Sequence, residues 1–278
     1  MGLKYYKPTS HGLRGKVGID RSHLYKGSPL KSLTFGVSNS GGRNAQGRIT
    51  TDHRCSKHRK VLRIVSFNRK ELDGVFAKVE RFEYDPNRSA HLALLSYEKD
   101  KKNMFSYVVA AKNMRIGDVV HTSYHERVDY SLGNCMKLKY IKEGTVVYCV
   151  ESKIGKGATY ARSAGTYAQV KGVDDSGMII VGLSSGEIKK IHRECTACIG
   201  SVSNDDHSNI VLAKAGANFL RGRRPRVRGI AMNPVDHPNG GRANGGTHFK
   251  SPTGVYAKGG KTRRNKRTSF TIIKGRKR

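Results

Sequence analysis

Tryptophan does not occur in this 278-residue chain, and only 36% of its residues are hydrophobic. That is a thin supply for one large core, so a core confined to part of the chain is expected, with the rest irregular until a partner orders it. No apolar run approaches the roughly 20 residues that a membrane-spanning helix needs, and no secretory-type segment is present. The basic segments also lack the apolar face of an interfacial helix, which argues against a membrane partner. Cysteine is sparse: Cys55, Cys135, Cys149, Cys195 and Cys198 are odd in number and follow no regular framework. They read as free thiols in a reducing compartment. Acidic residues are the shortest supply of all, 21 against 53 Lys and Arg, for a net charge of +32.

The positive charge is concentrated at the two ends. Residues 1–60 carry 13 Lys and Arg against 2 acidic residues, and residues 221–278 carry 17 against Asp236 alone. The stretch between them is nearly balanced. Basic ends of this kind repel themselves in water and call for a polyanion, and nucleic acid is the polyanion that fits. Glycine, 32 residues in all, clusters in the same ends, as in Gly41-Gly42, Gly240-Gly241, Gly245-Gly246 and Gly259-Gly260.

The balanced middle reads as short strands. Val61 to Val65, Val75 to Glu83, His91 to Tyr97 and Phe105 to Ala111 are β-rich runs, separated by turns such as Asp85-Pro86-Asn87. Ile116 to Val120 looks like the start of another strand. A second set follows at Gly144–Val150, Tyr167–Val173, Met178–Leu183 and Glu187–His192. Strands of this length and spacing predict a mainly β fold of two small barrels, with long irregular basic N- and C-terminal arms. Ser208 to Ala217 is the best helix candidate, closed by Gly216.

Several catalytic and metal motifs fall short. A phosphate-binding loop would end well at Gly260-Lys261-Thr262, but Val255 stands where its first glycine belongs. Cys195-Thr-Ala-Cys198 has the spacing of a zinc knuckle, and His53, Cys55 and His58 form a second ligand-like cluster. The plainer reading is a buried thiol in a strand and a basic run facing RNA, so no metal site is assigned. Asp236-His237 places a carboxylate beside an imidazole without a nucleophile elbow, and its Asn233-Pro-Val-Asp-His-Pro238 setting reads as a rigid loop. The segment Arg221-Gly-Arg-Arg-Pro-Arg-Val-Arg-Gly229 differs in kind. Guanidinium forks match phosphate geometry, and alternation in an extended chain would put Arg224, Arg226 and Arg228 on one side. RNA is favoured over DNA because no helix-turn-helix, zinc finger or basic zipper is present.

Longer motifs, taken in order, resemble one family. They are Lys7-Pro-Thr-Ser10, Ser40-Gly-Gly-Arg-Asn44, Gly47-Arg-Ile-Thr-Thr51 and Glu83-Tyr-Asp-Pro-Asn-Arg-Ser-Ala90. Gly155-Lys-Gly157, Ala161-Arg-Ser-Ala-Gly-Thr-Tyr167 and Ser185-Gly-Glu187 follow, then Pro225-x-Val-Arg-Gly229, Met232-Asn-Pro-Val-Asp-His-Pro238 and Lys261-Thr-Arg-x-Asn-Lys-Arg267. Together they resemble, nearly end to end, the universal large-subunit ribosomal protein family conventionally numbered two, in its bacterial or organellar form. The resemblance implies a basic N-terminal arm at 1–60, an oligonucleotide-binding-like barrel at 61–128 and a Src-homology-3-like barrel at 129–200. Residues 201–278 would be a short helix and a basic C-terminal arm reaching the peptidyl-transferase region. It also implies a structural, non-enzymatic role: binding large-subunit rRNA and supporting subunit association and that region.

Residue by residue, the resemblance makes Arg88 and Arg162 the central RNA contacts and brings His237 near the peptidyl-transferase centre. Arg43, Arg48, Arg224, Arg226, Arg228, Arg263, Lys266 and Arg267 join them as RNA-binding candidates. Expected partners are large-subunit rRNA, neighbouring ribosomal proteins and the small subunit across the intersubunit face. No cofactor is required beyond Mg2+ that accompanies the rRNA. The chain departs from the family pattern at Asn239, where a second His is usual, at Arg242-Ala243 for Gly-Glu, at His53-Arg-Cys-Ser-Lys-His58, and at Thr253-Gly254 for Trp-Gly. These departures resemble organellar drift, and the family motif begins as early as residue 7. The early start leaves no room for a transit peptide and suits a bacterial, an organelle-encoded or a mature processed chain. The departures favour a ribosome in the mitochondrial matrix, with bacterial cytoplasm and plastid as alternatives. The rival reading is an RNA-binding or chaperone protein of the same descent that works off the ribosome.

Overall fold

The computed structural model describes residues 2–99, 101–242, 248–260, 263 and 265–276. The chain groups into two units. One comprises Met1–Ser38, Arg59–Ala213 and Phe270–Arg278, and the other Asn39–His58 and Lys214–Ser269.

The first unit is mainly β. Its early strands are β1 (Leu3–Tyr5), β2 (Val17–Ile19), β3 (Thr34–Gly36) and β4 (Val61–Arg63), which pair as β1–β2 and β3–β4. The next are β5 (Val75–Glu83), β6 (Leu92–Lys99), β7 (Lys102–Val109), β8 (Val119–Ser123) and β9 (Cys135–Lys137). Then come β10 (Val146–Tyr148), β11 (Val150–Glu151), β12 (Ala158–Tyr160), β13 (Ala168–Val173), β14 (Ile179–Leu183), β15 (Ile188–Ile191), β16 (Thr196–Ile199) and β17 (Ile272–Lys274). Eleven of them form one sheet in the order β17-β15-β14-β13-β10-β16-β9-β8-β5-β6-β7.

That sheet serves two cores. In β5 the predicted parity holds: Ala77 and Val79 are buried while Phe76, Lys78 and Glu80 face solvent, as a half-buried strand requires. Leu92 to Leu95 are all buried, so β6 is covered on both faces. These residues, with Leu72, Tyr107 and Val108, make the first core. Met136, Leu138, Val147, Val170, Val181 and Ile191 make the second. The junction is a parallel pairing of β8 with β9, in which Thr122 lies opposite Cys135 and Ser123 opposite Met136.

Two expectations need correcting. The strand expected from Ile116 starts only at Val119, because residues 115–118 form a turn in which Asp118 accepts the Arg115 N–H at 2.7 Å. The helix expected over Ser208–Ala217 does not form there. Val211 instead exchanges two backbone hydrogen bonds with Val17, each 3.1 Å, and Ala213 takes a left-handed φ of 60°. A 3-10 turn at Asp205–Asn209 precedes this break. The later segment of the second unit then begins with α1 (Ala215–Leu220), which carries Gly216 inside it rather than at its end.

Candidate nucleic-acid interface

The Glu83–Arg88 segment shows why its residue order matters. Glu83, at the end of β5 on the inward parity, is buried among Arg63, Arg81 and Tyr107. Arg63 Nε and Arg81 Nε each donate to its carboxylate at 3.0 Å, and the Tyr107 hydroxyl donates at 2.9 Å. Three donors replace the water this carboxylate loses. The chain then turns at Pro86. Buried Asp85 accepts the Asn87 N–H at 2.8 Å, an Asx turn, and takes Arg88 Nε at 2.5 Å. Arg88 thus leaves the turn with its guanidinium fixed at one edge, and its side chain stays about 20% exposed.

Arg162 arrives from the loop after β12. Ala161 adopts a left-handed φ of 51°, Arg162 donates to the Ala158 carbonyl at 3.1 Å, and the Ala164 N–H donates to Ser89 Oγ at 3.0 Å. The last bond ties the Arg162 loop directly to the segment carrying Arg88. Phe67 lies under both cations, with the Arg162 guanidinium 4.0 Å and that of Arg88 5.7 Å from its ring centroid. The two arginines line one open cavity of 600 Å³, together with Asn87, Ser89, Thr159, Tyr160 and Tyr167. A surface combining two guanidinium groups, hydroxyls and tyrosine rings can take phosphate, ribose and base together. The sequence singled out the arginines and missed Phe67, because an aromatic after a strand carries no motif of its own.

In the second unit, Arg43 and Arg224 line a separate cleft, while Arg48 sits in a loop whose shape Asn44 sets by accepting the Gln46 and Arg48 N–H groups at 3.0 Å each. Arg226 and Arg228 are exposed in an irregular stretch. Arg263 donates to Thr268 Oγ1 at 2.6 Å, and Lys266 and Arg267 are exposed. Lys261, Thr262 and Arg264 of the last motif, the Gly245-Gly246 pair and Ala243 lie outside the described residues.

His237 is buried rather than projecting. Its Nδ1 accepts the Asn239 N–H at 3.0 Å, so the ring's proton belongs on Nε2. The imidazole packs flat against Gly229, where an added Cβ would fall within 2.4–2.6 Å of three ring atoms. Asn239, the departure from the family pattern, is buried too. Its side chain donates to the His248 carbonyl at 3.2 Å and accepts the Lys250 N–H at 3.0 Å. The amide therefore links the two sides of this loop, a use of both its donor and its acceptor.

The cysteines are free, and four of the five are buried. Cys195 packs in the second core and Cys198 in the first. Cys195 just precedes β16, and its three-residue separation from Cys198 turns the two side chains to opposite faces. Cys198 lies opposite Cys135 across the β9–β16 ladder. Thiol hydrogen bonds from Cys135 and Cys149 hold the Cys198 thiol well below its ordinary range. Beside them the Arg69 guanidinium is buried, donating to the Gly133 carbonyl at 2.7 Å. Burial opposes its charge, but the neighbouring thiols, Cys198 foremost, raise its basicity. Among the described residues no group of three or more His, Cys, Asp or Glu could hold a metal ion.

Two family models match the chain. Residues 30–122 match "Ribosomal Proteins L2, RNA binding N-terminal domain", and residues 131–269 match "Ribosomal Proteins L2, C-terminal domain". The Arg88 turn falls in the first match and the Arg162 loop in the second. Curated relatives align over the whole of both chains. The large ribosomal subunit protein uL2 of Rickettsia typhi is 49% identical over 280 residues, that of Rickettsia prowazekii 49%, and that of Rickettsia rickettsii (strain Sheila Smith) 50%. With both parts of the family matched in order and half of all residues shared end to end, the chain belongs to the ribosomal protein L2 family, uL2.

Proposed function

We propose that this protein is a scaffold for large-subunit rRNA, gripping it through Arg88 and Arg162. The chain is a structural constituent of the large ribosomal subunit, binds its RNA, and is not an enzyme. One observation carries the grip: 74 positions apart in sequence, the two arginines meet over Phe67 in a single cavity. Asp85 pairs with one edge of Arg88 through Nε, and Arg162 gives one Nη donor to Ala158, so each guanidinium has further N–H groups to offer RNA. In this reading residues 61–128 and 129–200 are the docking domains, and the arms at 1–60 and 201–278 neutralise phosphates between RNA helices.

The remaining candidates follow from the same reading. Arg43, Arg48, Arg224, Arg226, Arg228, Arg263, Lys266 and Arg267 contact rRNA backbone. His237, packed under Gly229, shapes the loop that supports the peptidyl-transferase region rather than reacting there. Neighbouring ribosomal proteins and the small subunit are proposed partners, and the protein needs no cofactor of its own, Mg2+ arriving with the RNA. The ribosome is the site of action. We place that ribosome in the mitochondrial matrix, on the departures at 53–58 and 239–242, although the relatives named above are bacterial.

The test is binding of purified full-length protein to protein-free large-subunit rRNA. Arg88→Ala and Arg162→Ala should each weaken binding about 10-fold, the scale of a hydrogen bond to a charged group. Near wild-type binding by the double variant would overturn the assignment. Sedimentation through high salt addresses the rival: a protein that leaves the large subunit there works off the ribosome.

A further inference from the structure

Within the second unit, residues 53–58 run antiparallel to residues 220–224. The Cys55 N–H donates to the Gly222 carbonyl at 3.2 Å, the Arg224 N–H to the His53 carbonyl at 3.1 Å, and the His58 N–H to the Leu220 carbonyl at 3.3 Å. Gly222 permits this approach. Its φ is 83°, and a Cβ there would lie 2.5 Å from Lys57 Cγ and 3.1 Å from the Cys55 carbonyl oxygen. Two side-chain bonds reinforce the pairing, His53 Nδ1–H to the Pro225 carbonyl at 2.9 Å and the Cys55 thiol to the Phe219 carbonyl at 3.4 Å.

This pairing walls a cleft of 610 Å³, within the range of small-ligand sites. Arg43, Arg54 and Arg224 line it, and Phe219, half exposed at the end of α1, forms part of its wall. Among the described residues none of the three guanidinium groups has a side-chain acceptor. The one carboxylate in the lining, Asp52, is near only His53 Nε2, at 4.0 Å. Three uncompensated cations around one concave site select an anion, and an exposed aromatic ring beside them selects a flat apolar group. A nucleotide joins the two. We propose that this cleft receives a single unstacked nucleotide of large-subunit rRNA, its phosphate among Arg43, Arg54 and Arg224 and its base against Phe219. The proposal rests on the rRNA-binding reading but uses a site separate from Arg88 and Arg162.

Cys55 supplies a built-in reporter, because it lines the cleft while the other four cysteines are buried. The full-length protein is treated with iodoacetamide under native conditions, alone and with protein-free large-subunit rRNA, and alkylation at each cysteine is followed by peptide mass spectrometry. Cys55 is expected to react in the free protein and to slow at least about 10-fold in the complex, with the buried thiols slow in both. Phe219→Leu, which keeps an apolar side chain on α1, should weaken rRNA binding about 10-fold, as loss of one base-stacking contact does, and abolish ultraviolet crosslinking at position 219. Unchanged Cys55 alkylation with binding intact overturns the cleft proposal and leaves the Arg88–Arg162 reading standing. Loss of all rRNA binding by the wild-type protein overturns both. Protection seen in whole subunits but not with bare rRNA assigns the cleft to a neighbouring protein and overturns the nucleotide.

Discussion

Glu83→Gln keeps the shape of the side chain but strips Arg63 and Arg81 of their counter-charge, leaving Arg63 buried beside a neutral amide. Breaking such a pair should cost on the order of 3 kcal/mol, to be read as a lower urea midpoint with an unchanged slope. His91 works through pH. It is buried, neither ring nitrogen has a partner among the described residues, and burial together with His23, Arg21 and His207 lowers its pKa to about 4. The unfolded chain therefore takes up the proton first as pH falls below about 6.5. Stability should drop from there to about pH 4, by on the order of 3 kcal/mol in all, and then level off. His91→Phe should lose this component, so comparing unfolding free energies of both proteins at pH 7 and pH 4.5 checks it. At this scale the sequence was informative where a motif surrounded the residue: Arg88 and Arg162 stood out, and the structure unites them. Arg54 was visible only as part of the basic run at 53–58, and Phe67 and Phe219 carried no mark. Their importance comes from neighbours that are distant in the chain, and no local pattern encodes that.

Strands with strong alternation or apolar runs were legible, including the short β4 and β10 inside longer predicted runs, and several other short ones were not. β5 spans its whole predicted length and alternates through Glu80, but a bulge between Val79 and Arg81 leaves Phe82 half-buried against the core. β6, β13, β14 and β15 fall within a few residues of expectation. Three-residue strands such as β9, β12 and β17 are too brief for a period to show; pairing partners define them. The misplaced helix has the same origin. Asn209 to Lys214 reads as helical by itself, but β-branched Val211 is claimed by Val17 and Ala213 breaks the run with its left-handed φ. Val211→Pro removes the N–H that bonds to Val17, and should cost about 1–3 kcal/mol if that bridge anchors the segment. Thermal unfolding of the variant measures it, and an unchanged midpoint would show that the bridge is dispensable.

For the whole molecule the governing quantity is charge. A protein of net charge +32 that neutralises many phosphates releases as many counterions, so its rRNA affinity should fall with salt at a log–log slope of roughly −0.7 to −0.9 per phosphate contacted. Removing Arg88 and Arg162 together should make that slope shallower by roughly 1.4 to 1.8 if each meets one phosphate. Titrating wild type and double variant from low to high salt yields both slopes; parallel lines would mean that neither arginine touches the backbone. The charge asymmetry was plain in the sequence. The association of residues 39–58 with 214–269 was not, because it joins segments that lie more than 150 positions apart.

That grouping and the pairing of β17 with β15, Ile188 opposite Lys274 and Lys189 opposite Ile272, bear on the order of events during synthesis. Chains emerge N-terminus first and fold as they do so. β15 is made some 80 residues before the strand that covers its edge, and waits with unpaired N–H and C=O groups while the most basic part of the chain is being translated. Until Ile272–Lys274 emerges, β15 presents an open edge able to pair with the wrong chain. A chain that stops before Ile272 would leave that edge bare. β17 thus becomes the outermost strand at this end of the sheet, and the segment that protects β15 is the last of the eleven to be made.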